Sequence, residues 1–164
     1  MTRLVITLIG AIFSLNAAAA SVNVKWQNPE EYTDIQPAEE LKSRYHKHVM
    51  TQLGGYFERL GKQLPEGYQW NITVTDVDLA GDVQMSYRLQ SRDYRVVKPI
   101  FFPKMDFTWT ILDADKNEVL AGTEKLKDMG FQTQIGHTIN NSFPYEKEML
   151  KRWFRKTVLP QLEG

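Results

Sequence analysis

Cysteine is absent from all 164 residues. That excludes a disulfide framework, a thiolate nucleophile and a cysteine-built zinc site, and leaves no cysteine for lipid attachment. Stability must therefore come from packing. An excess of charge is missing too: 20 basic residues stand against 20 acidic ones, so no broad basic field is present to attract nucleic acid. Beyond residue 20 no apolar run approaches the roughly 20 residues that span a bilayer, so no membrane insertion is expected of the mature chain. Neither Gly-x-Gly-x-x-Gly nor a phosphate-binding P-loop occurs, and Ser43, Ser86, Ser91 and Ser142 lack a Gly-x-Ser-x-Gly setting. His46 and His48, two apart on a helix, project to nearly opposite sides, and His137 is distant in sequence, so zinc is not expected. No cofactor is implied.

What is present begins with a leader. Arg3, an apolar run from Leu4 to Leu15 and the small residues Ala17 to Ala20 follow one another in the order of a cleavable secretory signal peptide, cut between Ala20 and Ser21. The mature chain is then residues 21–164, one domain, exported from the cytoplasm. Trp26, Trp70, Trp109 and Trp153, with eight Phe and seven Tyr, supply the apolar area for a single core.

Val22, Val24 and Trp26 alternate with polar residues as a strand that Asn28 and Pro29 stop. From Ala38 to about Lys62, Leu41, Tyr45, Val49, Leu53, Tyr56, Phe57 and Leu60 recur at helical spacing, with Pro37 at the entry. Gly54 and Gly55 inside this helix cost about 2 kcal/mol together relative to alanine, so they mark a break or, preferably, close packing of another backbone. Trp70, Ile72 and Val74 form a second strand, after which the apolar parity moves to Val77 and Leu79, as a bulge near Thr75 and Asp76 would produce. A short strand at Tyr94–Val97 precedes the run Pro99–Pro103. Met105, Phe107, Trp109 and Ile111 alternate in the clearest strand, joined through a turn at Asp113–Asn117 to a returning arm from Glu118 to about Leu126. Residues 130–142 read as a polar loop, and Tyr145, Met149, Leu150, Trp153, Phe154 and Val158 as one side of a helix ended by Pro160. This order, β-α-β-β-β-β-α, predicts an α+β fold: one two-layer domain with a mostly antiparallel sheet of about five strands and two helices on one face.

Chemistry concentrates in Asp76-Val77-Asp78-Leu79-Ala80-Gly81-Asp82. Against the calcium-loop template Asp76, Asp78 and Gly81 fit, but Ala80 and Tyr87 fail the fifth and twelfth positions. Asp76 and Asp78, about 6.6 Å apart on a regular strand, could instead act as an acid-base pair. The simpler structural reading is a turn-capping pair neutralised by Arg92 or Arg95. Asp113, Asp115, Asn117 and Glu124 also fit calcium positions, but Glu118 stands where the glycine belongs and the flanks are strands, so a solvated turn is expected. Two further surfaces are candidates: the Pro99–Pro103 run as an apolar patch or as core folded over the sheet edge, and the 130–142 loop with Phe131, Gln134, His137, Asn140 and Asn141.

Tyr32-Thr33-Asp34, Thr75 to Gly81, Arg95-Val96-Val97, Pro103 with Asp106, Tyr145-Glu146-Lys147 and Trp153-Phe154 resemble the bacterial family known as domain of unknown function 3016, over nearly the whole mature chain. The resemblance implies an exported product of Gram-negative bacteria, hence a periplasmic address, and brings no activity or catalytic residue. The expectation is a non-enzymatic binding or interaction domain with an envelope protein or small ligand as partner. Its recognition edge is expected at Asp76, Asp78, Asp82, Arg92 and Arg95, with Asp106 and His137 as further binding residues. The alternatives are a carboxylate-dependent enzyme on an envelope substrate and a structural calcium module.

Overall fold

The computed structural model describes residues 19–38, 40–84, 93–133 and 141–162. The leader residues 1–18, together with Arg92 and His137, lie outside the described residues.

Strand β1, Ser21–Trp26, alternates as its sequence predicts. After a single 3-10 turn the chain reaches helix α1, Lys42–Gly61, and returns as β2, Gln69–Asp78. β1 and β2 pair in parallel with α1 between them, a β-α-β crossover. β5, Lys104–Leu112, lies antiparallel to β2, and β6, Glu118–Lys127, antiparallel to β5. The main sheet is thus β1-β2-β5-β6, four strands rather than about five. The remaining strands, β3 at Asp82–Gln84 and β4 at Tyr94–Val96, make a separate two-stranded ribbon. The α+β, two-layer architecture holds, with its one parallel pair at the β1 edge.

The parity switch in β2 is a bulge. Register slips between Val74 and Asp76, so Trp70, Ile72 and Val74 before it and Val77 after it all face the core. One extra residue on one strand does this without reversing the sheet. The inner face carries Trp70, Phe107 and Trp109 against Phe57 of α1 and Trp153 and Phe154 at the chain end. Trp70 and Trp153 stack at 6.2 Å, and Phe107 meets Trp153 edge-on at 4.9 Å. Each such buried ring contributes about 1.5–3 kcal/mol through lost water contact. No described helix lies over the outer face. It carries polar rows read across the strands, Asp76–Asp106–Lys125 and Asp78–Lys104–Lys127.

Four local expectations need correction. α1 starts at Lys42, not Ala38: Leu41 is still extended, so Pro37 does not mark the first turn. Gly54 and Gly55 neither break α1 nor admit a close backbone, since a Cβ on Gly54 would meet Trp26 at an ordinary 3.8 Å and one on Gly55 would meet nothing. The close approach is instead at Gly61, where a Cβ would fall 2.2 Å from Val22 Cγ2. Pro160 does not end the last helix. Helix α2, Pro144–Trp153, widens into a π-helical turn at Phe154–Val158 and resumes through Leu159–Leu162, with the Leu159 N–H reaching back to the Phe154 carbonyl. The widened turn accommodates a proline that a regular helix would reject. Finally, the polar loop is not polar throughout: Phe131 is buried in a 3-10 turn, edge-on to Tyr145 at 4.8 Å.

Candidate functional site

The bulge sets the site. Past Val74 the end of β2 gains a short neighbour, because Asp34 forms a parallel bridge with Asp78, its N–H donating to the Val77 carbonyl and its carbonyl accepting from the Leu79 N–H. The Tyr32-Thr33-Asp34 segment is thereby laid along the aspartate block. Tyr32 Oη donates to the Val74 carbonyl at 2.9 Å, and burial pushes its phenol up to about 12.

Asp76 accepts twice from Thr33, from the backbone N–H and the hydroxyl, each at 2.6 Å. Asp78 pairs with Lys104 Nζ at 2.6 Å. Neither is held by Arg95, contrary to expectation. Arg95 grips Asp34 through two nitrogens, at 2.8 and 3.1 Å, and also donates to the carbonyls of Gly81 and Gln36. The reason is topological: β4 runs antiparallel to β3, so the Arg95 side chain lies across the Gly81 turn toward the Asp34 segment. Burial alone would weaken the guanidinium as a base, but the Asp34 carboxylate outweighs it and holds its pKa up. Asp82 accepts from Gln84 at 2.6 Å, and Asp106 sits opposite Asp76 in the sheet register.

A second carboxylate backs this cluster. Glu146, in the first turn of α2, is buried and accepts from the Ala80 N–H at 2.7 Å. Burial raises its pKa, opposed by that hydrogen bond and by the charge of Arg95. Tyr45 of α1 is likewise raised by burial, with Arg95 pulling the other way. Asp34, Arg95, Tyr45 and Glu146 thus form one electrostatic group under the Gly81 turn.

In front of it lies a cavity of about 230 Å³, lined by Thr33, Asp34, Asp78, Asp82 and Lys104 and by the run Ile100–Phe102. Of that run Ile100 is 73% exposed, Phe101 and Phe102 are half-buried and Pro103 is buried. Both readings of the run therefore hold in part: it anchors at Pro103 and projects at Ile100. Lys104 Nζ also lies 5.1 Å over the Phe102 ring, tying the polar floor to the apolar rim.

Of the predicted site residues, the structure gathers Asp76, Asp78, Asp82, Arg95 and Asp106 at one end of the sheet. Sequence reasoning missed Thr33, Asp34, Lys104 and Glu146 as partners. Three of these sit in the segments that carry the family resemblance, which was the available signal. The Asp113 turn is as expected: its carboxylate accepts from the backbone of Asp115 and from the backbone and side chain of Asn117. Among the described residues no three His, Asp or Glu side chains converge to hold a metal ion. No described helix is long and apolar enough to cross a membrane.

No curated protein matches the chain. Among solved structures, a minor lipoprotein from Acinetobacter baumannii aligns over 85% of this chain and 94% of its own, at 11% identity and a TM-score of 0.27, a likeness too low to carry an argument. The family model described as "Protein of unknown function (DUF3016)" matches residues 20–156, which takes in β1, the Asp34 segment, the aspartate block, Arg95 and Glu146, and the chain belongs to that family.

Proposed function

We propose that this protein is exported and serves in the periplasm as a non-enzymatic binding domain, holding an envelope protein at the cavity beside the aspartate block. The observation that carries the reading is the pairing of apolar rim and neutralised floor. Ile100 stands 73% exposed over a cavity whose carboxylates Asp34 and Asp78 are already engaged by Arg95 and Lys104. Fixed ion pairs give a pattern of charge for recognition, and an exposed aliphatic side chain beside them is the usual anchor of a protein contact. A carboxylate enzyme would need one carboxyl free to take or give a proton, whereas Asp76 and Asp78 are both spent on internal partners. Export is supported by the leader pattern and by the family match beginning at residue 20, where that leader is read to end.

The test places a photocrosslinking residue at position 100 and irradiates intact cells. A discrete adduct in the periplasmic fraction is expected, on protein whose N-terminus is Ser21. The adduct should disappear when Asp82→Lys reverses charge on the rim. A chain recovered only in the cytoplasm, or an adduct unchanged by Asp82→Lys, overturns the reading.

A further inference from the structure

A second cavity, of about 280 Å³, lies where the end of β6 meets the junction of α2 with the π-helical turn. It is two strands away from the aspartate block and shares no lining residue with that site. Its rim carries Lys127, Arg152 and Lys156, and its wall is Leu126, Met149 and Trp153. Among the described residues the only acid lining it is Asp128, buried and paired with Arg152. Neither Lys127 nor Lys156 has a carboxylate partner among the described residues, so cationic charge is left over.

Two residues lining this cavity also carry an unmet donor. Arg152 Nε and Trp153 Nε1 are buried without a hydrogen-bond partner. A buried donor without an acceptor costs about 1–3 kcal/mol, and folded proteins retain few. Trp70 Nε1 is unmet as well, but Trp70 lies sealed in the core, whereas Arg152 and Trp153 are 30% and 7% exposed and line an opening. Lys156 and Thr157, also at the cavity, belong to the π-helical turn, a widened geometry that recurs at functional sites.

Surplus positive charge, unmet N–H donors and an apolar wall call for the same occupant. We propose that this cavity binds a small organic anion, its carboxylate or phosphate among Lys127, Arg152 and Lys156 and its apolar part on Met149 and Leu126. Such a ligand brings acceptors to the cationic rim, beside two residues whose buried donors the fold leaves unmet.

The test is a benzoate titration of the 15N-labelled protein, following the indole N–H of Trp153 and the Nε–H of Arg152. Both signals should move saturably. Replacing the two exposed lysines together, Lys127→Gln with Lys156→Gln, should weaken benzoate by about tenfold while the rest of the spectrum stays native. Neutral benzyl alcohol should not saturate, and inorganic phosphate should bind more weakly than benzoate. Shifts confined to lysine signals, or an unchanged affinity in the double variant, would show only adventitious ion pairing and overturn the proposal. Saturation by benzyl alcohol removes the anion requirement, and phosphate as tight as benzoate removes the apolar one; either result also overturns it.

Discussion

The turn end of the main sheet holds Asp113 by local bonds alone, whereas the bulged end adds long-range ties to local ones such as Gln36 to Asp34 and Gln84 to Asp82. At the β5–β6 turn, Asp113 takes its hydrogen bonds from Asp115 and Asn117, two and four residues away. At the bulged end, Asp76 is held by Thr33, 43 residues away, Asp34 by Arg95, 61 away, and Glu146 by Ala80, 66 away. One end is closed by its own turn. The other is tied together by segments from across the chain, and the candidate recognition cavity sits on that knot. The turn end would survive a loosened tertiary structure, but the site end exists only while the whole fold does.

Breaking the tie at its centre should produce the largest effect. Arg95→Met leaves Asp34 half-buried without its cation and removes donors to two carbonyls, a change expected to cost about 3 kcal/mol in denaturant unfolding. Adding Asp34→Asn should restore much of the loss, because the stranded charge goes with it. A cost under about 1 kcal/mol would mean that the ends are not different in kind.

Each end also contains a left-handed glycine, which sharpens the contrast. Gly81 has φ of 88°, and a Cβ there would lie 2.8 Å from the Val96 carbonyl oxygen and 3.0 Å from Arg95 Cγ. Gly67 has φ of 78°, and its Cβ would meet the Ala114 Cβ at 3.0 Å. Gly67→Ala should cost about 1–2 kcal/mol, from backbone strain and a tight contact with the Ala114 side chain. Gly81→Ala should cost about 2–3 kcal/mol, since a backbone oxygen and the Asp34 clamp must also shift. Melting temperatures of the two variants decide it, and equal shifts would refute the ordering.

The same distinction explains what the sequence made legible. The alternation of Met105 to Ile111, the Asp113 turn and the parity switch at Asp76 are short-range patterns, and each was readable because a strand or turn writes its period within a few residues. The partners of the aspartates were not readable. Arg95 looked like the cation for Asp76 or Asp78 because it is nearby in sequence. The ribbon of β3 and β4 instead carries it to Asp34, and Lys104 arrives from β5 to take Asp78. No local rule announces a pairing set by strand order. Gly54 and Gly55 failed for the converse reason: a local cost was real, but among the described residues no backbone packs closely against them.

Acid should separate the ends with opposite signs. Burial raises the pKa of Glu146 above its ordinary value, so the folded state holds that proton more tightly than the unfolded chain does. Stability from this residue is present below the ordinary carboxyl range and is lost as pH rises through the folded pKa. Glu146→Gln keeps an oxygen for the Ala80 N–H and should flatten that dependence, with its largest gain over the parent at neutral pH. Tyr32 acts likewise at the alkaline side of the same end: with its phenol at about 12 against the ordinary 10.0, folding stability should fall as pH rises from 10 to 12. Tyr32→Phe should lack that fall, at a cost of about 1 kcal/mol near neutrality for the lost hydrogen bond, the Val74 carbonyl keeping only the Gln27 N–H. Unfolding free energies measured from pH 4 to 12 test both, and parallel curves for variant and parent would dismiss the linkage.

The smallest effect belongs to the turn. Backbone and side-chain hydrogen bonds from Asn117, with a further one from Asp115, lower the Asp113 pKa. Its contribution is therefore present above the ordinary value of 3.8 and fades as pH falls through the folded pKa. Solvent reaches and screens this carboxylate at the turn, so Asp113→Ala should move the unfolding midpoint far less than Arg95→Met. It should also leave the 15N spectrum of the cavity residues Thr33, Asp78 and Lys104 unchanged, because the hydrogen bonds that Asp113 accepts all come from within the turn. If Asp113→Ala disturbed those signals, the ends would be coupled through β5, and the local closure of the turn would be part of the site's support rather than independent of it.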